Sequence, residues 1–206
     1  MHDKCRLFPD GKGSYDLAIT AALDQLNNYG NPSTKITISP NNVEYLFKGF
    51  KNMIELGFTA IHANCVFENV WSTKYAKKYY NELKLIANYI KENNLQDKIY
   101  FIIFEPDNYK PLDEDGKHTA WCGTSNNMYA LDYKGDIYTC IRFMESSLNQ
   151  EPIIIGNIEH GIGITNKEQK WLNEFKRCER CNVFDNECLN CPIAKNCSYC
   201  LGCSYE

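Results

Sequence analysis

From Ser14 to Glu105 the apolar positions switch repeatedly between helical and strand spacing. Leu17 with Ala21, and Ile19 with Leu23 and Leu26, keep helical spacing behind the cap residues Ser14 and Asp16, until Tyr29-Gly30-Asn31-Pro32 stops them. Lys35-Ile36-Thr37-Ile38-Ser39-Pro40 alternates and predicts a strand ended by proline. Asn41 or Asn42 caps a second helix with Val43, Leu46, Phe47, Phe50 and Ile54 on one face and Gly57 at its end. Thr59 to Phe67 predicts a strand carrying Ile61, Ala63, Cys65 and Phe67 on one side. A third helix, from about Thr73 to Asn93, has Tyr75, Tyr79, Leu83, Ile86 and Ile90 in one stripe and lysines on its solvated side. Lys98 to Glu105, KIYFIIFE, is the most continuous strand pattern in the chain. Such alternation predicts α/β architecture with a parallel sheet. Parallel sheets place working residues at the C-terminal ends of their strands, here Ser39, Asn64 and Glu105. Taken singly, each is equally an ordinary strand-end polar residue.

Flanking regions read differently. HDKCRLFPDGKGSYD, broken by Pro9, Gly11 and Gly13, predicts a long loop. After about residue 108 the chain turns to short strands, turns and cysteines, so the expected division is 1–108 and 109–206. Met128 to Asp132, Lys134-Gly135-Asp136 and Ile137 to Cys140 predict a β-hairpin turning at the glycine. Ile153 to Ile158 predicts a further strand, and Lys167 to Phe175 a helix.

Cysteines change the picture most. Seven fall between Cys178 and Cys203 (Cys178, Cys181, Cys188, Cys191, Cys197, Cys200 and Cys203), with four Cys-x-x-Cys gaps, and Cys122 and Cys140 stand upstream. Nine candidate ligands exceed one tetrahedral site and suit two centres. A disulfide framework belongs to short, core-poor secreted domains, whereas this chain has 206 residues, 44% apolar composition and no signal-peptide pattern at MHDKCRLFPD. Zinc and iron–sulfur both accept Cys-x-x-Cys pairs. Cys197-x2-Cys200-x2-Cys203 matches the start of the bacterial ferredoxin signature and tilts the reading toward iron–sulfur. Cys5 and Cys65 read as structural thiols. A net charge of −4 with no basic block leaves no footprint for nucleic acid, and no apolar run approaches the ~20 residues that span a bilayer. A soluble cytoplasmic protein is expected.

Cys122, twelve residues, Gly135, four residues, Cys140, and then Cys178-x2-Cys181-x6-Cys188-x2-Cys191 resemble the SPASM domain of radical S-adenosylmethionine (SAM) enzymes. That domain's pattern is Cys-x9-15-Gly-x4-Cys, a gap, Cys-x2-Cys-x5-Cys-x3-Cys, a gap, Cys. His2-Asp3-Lys4-Cys5-Arg6 resembles the His-Asp-x-x-Arg of the partial (β/α) barrel in the same enzymes. The resemblance covers nearly all of the chain. It implies the C-terminal half of a partial barrel followed by a small α+β cysteine-rich domain holding two auxiliary [4Fe-4S] clusters. Arg6 would contact the SAM carboxylate, Ser39 would line the same pocket, and Cys122, Cys140, Cys178, Cys181, Cys188, Cys191, Cys197, Cys200 and Cys203 would supply cluster ligands. The peptide-modifying branch looks closest, which implies a peptide or protein substrate and an electron donor such as a flavodoxin or ferredoxin. The Cys-x3-Cys-x2-Cys loop that holds the SAM-cleaving cluster has no match among the 11 cysteines. The resemblance therefore implies a C-terminal part of a longer enzyme, inactive by itself. Sulfatase-maturing relatives carry an aspartate base directly after the cysteine matching Cys140, where this chain has Ile141. Without catalysis, the same cysteines would make a zinc- or iron–sulfur-binding module for a peptide or partner protein. Two cluster partitions suggest themselves: Cys122, Cys140 and Cys191 against Cys178, Cys181, Cys188 and one of the last three, or Cys197, Cys200 and Cys203 as a unit.

Overall fold

The expected strands at Ile36 and Ile61 become β1 (Ser33–Ile38) and β2 (Ala60–Cys65) in a computed structural model that describes residues 2–118, 122–124, 128–145, 151–197, 199, 200 and 202. With β3 (Tyr100–Phe101) they form a parallel sheet in the order β1-β2-β3. KIYFIIFE is strand only over those two residues. It pairs with β2 at Ala60 and Ile61, then tightens into a 3₁₀ turn over Ile102–Phe104. An apolar run shows that a segment is buried, but pairing needs a neighbour's free edge, and β2's register with β3 extends over only those two residues.

Between the strands lie α3 (Leu46–Glu55), entered through a 3₁₀ turn at Val43–Tyr45, and α4 (Thr73–Glu92). Ile38, Ile61, Ala63 and Phe101 from the sheet pack with Val43, Leu46, Phe50, Ile86 and Ile90 in one core. Both helices therefore cover the same face of the sheet. Strand alternation sends the other residues to the opposite face, where Lys35 pairs with His62, Thr37 with Asn64 and Ala60 with Tyr100.

The N-terminal segment is a closed loop built on a helical turn, α1 (His2–Cys5). Ser14 does not cap α2 (Tyr15–Tyr29): its hydroxyl donates to the Arg6 carbonyl at 2.9 Å and contacts His2 Nε2 at 3.0 Å. The Asp3 carboxylate accepts from the first helical N–H, that of Tyr15, at 2.8 Å instead. Leu7 and Gly13 bridge antiparallel across the loop.

The chain divides into two compact units, Met1–Glu105 and Pro106–Glu206. The second opens with a 3₁₀ turn at Pro106–Asn108 and the helical turn α5 (Glu114–Lys117), capped by Asp113 accepting from Gly116 N at 2.7 Å. A four-stranded antiparallel sheet follows: β4 (Ala130–Leu131), β5 (Asp136–Tyr138), β6 (Gly156–Asn157) and β7 (Gly161–Ile162). The hairpin turn is organised by Asp132, whose Oδ1 accepts from Lys134 N and Asp136 N at 2.9 and 3.0 Å. Gly135 stands at φ +85°, and a Cβ there would lie 2.8 Å from Ile158 Cγ1. Gly135→Ala is expected to cost about 1–2 kcal/mol in chemical denaturation, through the left-handed backbone and this contact together.

Helix α6 (Asn166–Arg177) packs Phe175 onto Tyr138, Phe143, Ile153 and Ile155. It opens with a capping box: Thr165 Oγ1 accepts from Glu168 N at 3.2 Å, and Glu168 Oε2 accepts from Thr165 N at 3.0 Å and Ile164 N at 2.8 Å. The Glu168 side chain lies almost wholly out of solvent, with Oε1 3.0 Å from His160 Nε2. The Thr165 backbone hydrogen bond, outweighing burial and joined by His160 and Ile164, holds this carboxyl below its ordinary value. A depressed folded-state pKa contributes stability fully above the unfolded value of ~4.3, and that stability is lost as pH falls through the folded value. Glu168→Ala is expected to cost about 1–3 kcal/mol near neutrality. The difference from the unaltered protein should shrink below about pH 4. Denaturant midpoints measured across pH check this; a gap that widened in acid would show the sign to be wrong.

Two further helical turns, α7 (Arg180–Val183) and α8 (Asn186–Leu189), and a 3₁₀ turn at Ala194–Asn196 carry the cysteine-rich end. Among the described residues no helix is long and apolar enough to cross a membrane.

Candidate metal centres

The cysteine-rich segment winds by short turns. Asp185 Oδ1 accepts from Cys188 N at 2.7 Å and starts α8. Backbone bonds then run from Cys191 N to Cys188 O, Ala194 N to Cys191 O and Cys197 N to Ala194 O, at 3.3, 3.1 and 3.1 Å. Each step advances three residues and turns the chain back on itself. As a result Cys188, Cys191 and Cys197 line one pocket of about 290 Å³, with apolar walls from Tyr109, Leu112, Phe184 and Ile193. A hydrogen bond with Asp185 is the main influence raising the Cys188 thiol above its ordinary value.

Arg180 lies beside this segment, 3% exposed, and its guanidinium donates through Nη2 to the Cys197 carbonyl at 2.8 Å. Its Nε is buried and has no hydrogen-bond partner among the described residues. Burial lowers its pKa, and Cys197 is the neighbouring charge that opposes this. A buried cation calls for a buried anion. No carboxylate among the described residues pairs with Arg180, and Cys197 is the titratable group beside it.

A second set gathers around Cys140, 8% exposed at the end of the hairpin. Its Sγ accepts from Arg142 N at 3.4 Å. Burial pushes this thiol up, the Arg142 hydrogen bond opposes that, and Cys200 and Cys122 push it further as neighbouring charges. Cys122 Sγ lies 2.9 Å from the hydroxyl of the buried Thr124. Gly202 fits against Arg142, where a Cβ would come within 2.8 Å of Cδ.

Cys178 and Cys181 have other surroundings. Cys181 Sγ lies 3.4 Å from His118 Nδ1, and Glu179 completes a group whose ligand atoms lie within 4.8 Å of one another. Cys178 packs against the core, with Sγ 3.7 Å from the Glu174 carbonyl and its own carbonyl accepting from Tyr199 OH at 2.7 Å. Cys203 lies outside the described residues.

No family model and no curated protein matches the chain. The reading of the site therefore rests on its residues.

The expected grouping of Cys191 with Cys122 and Cys140 differs from the pocket lining, and the grouping of Cys197, Cys200 and Cys203 includes Cys203, outside the described residues. Cys191 faces the pocket with Cys188 and Cys197, whereas Cys200 and Cys122 are the cysteines that act on the Cys140 thiol as neighbouring charges. The short x5 gap between Cys191 and Cys197 is the sequence feature that goes with their sharing one pocket.

In the first unit each candidate residue has its own local contacts. Arg6 is exposed, and no hydrogen bond or ion pair among the described residues joins it to Ser39. Ser39 is half-buried, and its N–H donates to Asn42 Oδ1 at 2.8 Å. Asn64, on the polar face of the sheet, donates to the Cys65 carbonyl at 3.3 Å, while its buried Oδ1 has no partner among the described residues. Glu105 ends the 3₁₀ turn after β3, half-buried. Cys5 is exposed. Burial raises the Cys65 thiol, opposed by a hydrogen bond with Tyr79.

Proposed function

We propose that the second unit holds two iron–sulfur clusters, one on Cys188, Cys191 and Cys197 and one on Cys122, Cys140 and Cys200. The observation that carries this reading is the apolar pocket onto which three cysteines open beside a buried guanidinium. Thiolates are the ligands of cubane clusters, and apolar walls and nearby hydrogen bonds set their potentials. The N–H of Arg142 on the Cys140 sulfur is a hydrogen bond of that kind. When bound, the clusters supply one-electron chemistry. The chain's own residues supply the thiols, the wall and a compensating cation.

The further reading is that this chain is the C-terminal part of a radical SAM enzyme that modifies a peptide or protein by hydrogen abstraction. In that role Arg6 contacts the SAM carboxylate and Ser39 lines the same pocket, and a flavodoxin or ferredoxin supplies electrons. Two features support it beyond the motif resemblance. Helices cover one face of the parallel sheet and leave Lys35, Thr37, His62 and Asn64 on the other, the layering of an α/β fold. Asn64 also presents an unpaired buried acceptor on that polar side.

Anaerobic purification followed by iron, acid-labile sulfide and zinc analysis tests the cluster reading. About eight irons and eight sulfides per chain are expected. Stoichiometric zinc without sulfide would overturn it and leave a zinc-stapled module for binding a peptide or partner.

A further inference from the structure

We infer that the second unit carries a third, mononuclear metal site of the zinc type, formed by His118 Nδ1, Cys181 Sγ and the Glu179 carboxylate. These are one nitrogen, one sulfur and one oxygen donor, with all three ligand atoms within 4.8 Å of one another. A mixed set of this kind suits zinc, whereas cubane clusters take thiolates throughout. The geometry agrees at its best-defined edge. Zinc–sulfur and zinc–nitrogen bonds of ~2.3 and ~2.0–2.1 Å at a tetrahedral angle put S and N roughly 3.6 Å apart. Cys181 Sγ and His118 Nδ1 are 3.4 Å apart.

Local structure delivers each donor. The Asp113 cap closes α5, and His118 follows directly at the helix end. Glu179 occupies the N-cap position of α7 but makes no side-chain cap hydrogen bond, so its carboxylate is not spent on the helix beside it. Cys181 sits in the first turn of α7. Two short helical turns, each too brief to be stable alone, are thus held together across 63 residues of sequence. Three protein ligands leave a fourth position for water, as in open zinc sites. The donors belong to neither three-cysteine set, so the site stands or falls apart from the cluster reading.

The test uses the full chain, reconstituted anaerobically with iron and sulfide, then given zinc(II) and desalted. About one zinc per chain is expected, with a zinc X-ray absorption shell containing one sulfur among nitrogen and oxygen neighbours. His118→Ala and Cys181→Ala are each expected to lose that zinc and keep all the iron, and Glu179→Gln to weaken zinc retention about 10-fold or more. His118 is exposed, so its replacement does not disturb a core. Loss of iron in Cys181→Ala would overturn the assignment by making Cys181 a cluster ligand. Zinc retained by His118→Ala, or a shell of sulfur alone, would overturn it equally. Zinc that depends on His118 in a chain lacking iron and sulfide would uphold this site while removing the cluster reading.

Discussion

Replacing Cys188 and Cys191 together by alanine is expected to remove about four irons and four sulfides per chain and leave about four of each in place. The two residues share a pocket with Cys197 and take no part in the set around Cys140. Alanine keeps the backbone N–H that Asp185 caps and the turn from Cys191 N to Cys188 O, so the local winding survives. Cys140→Ala is the complementary change, expected to remove the other half. Iron analysis with low-temperature paramagnetic resonance of the reduced protein distinguishes the two, since each variant retains one signal and loses a different one. Complete loss of iron in either variant, or the same residual signal in both, would show that the cysteines do not divide as described.

Arg180→Met should have opposite weight in the loaded and the metal-free protein. In the loaded protein the guanidinium faces anionic sulfur and holds the Cys197 carbonyl, and a charged hydrogen bond of this kind contributes roughly 1.5–3 kcal/mol. Without metal and with neutral thiols, the same group is a buried cation lacking a carboxylate partner among the described residues. The cost of keeping it desolvated then offsets much of what the hydrogen bond returns. The variant is therefore expected to lose its visible absorbance at lower denaturant than the unaltered loaded protein, while the metal-free midpoints differ little. The cluster potential should also move to more negative values, because removing a cation disfavours the reduced, more negative cluster. Arg180→Lys should recover part of the potential. Equal destabilisation with and without metal would reduce Arg180 to a packing residue.

How far the sequence spoke depended on the physical signal. Apolar periodicity located β1, β2, α3 and α4 to within a few residues, since each buries one face in a common core. KIYFIIFE misled because burial and strand pairing are separate events, and Ile102–Phe104 is partly buried in a 3₁₀ turn. Asp3 displaced Ser14 at the start of α2 through a contact 12 residues distant, beyond the reach of any local cap rule. Thr165-x-x-Glu168 was legible as a capping box and passed unread. Cysteine count announced metal chemistry, but its sorting depended on which turns closed. His118 attracted no notice because its partners lie some 60 residues downstream, on a helical turn with no strong periodicity.

The separation of Cys140 from Cys200 has a consequence in time. Both belong to one three-cysteine set, yet about 60 residues of chain lie between them, including all of the other set. At translation speeds of about 5–20 residues per second, Cys140 waits some 3–12 s and Cys122 some 4–16 s before Cys200 is synthesised. Cys188, Cys191 and Cys197 are complete within a fraction of that interval. On the proposed cluster assignment the pocket set is complete almost as soon as it is made, while Cys122 and Cys140 wait without their third ligand. On that assignment the order of filling would follow the order of synthesis, and Cys122 and Cys140 would be the pair most open to oxidation or capture by the wrong ion.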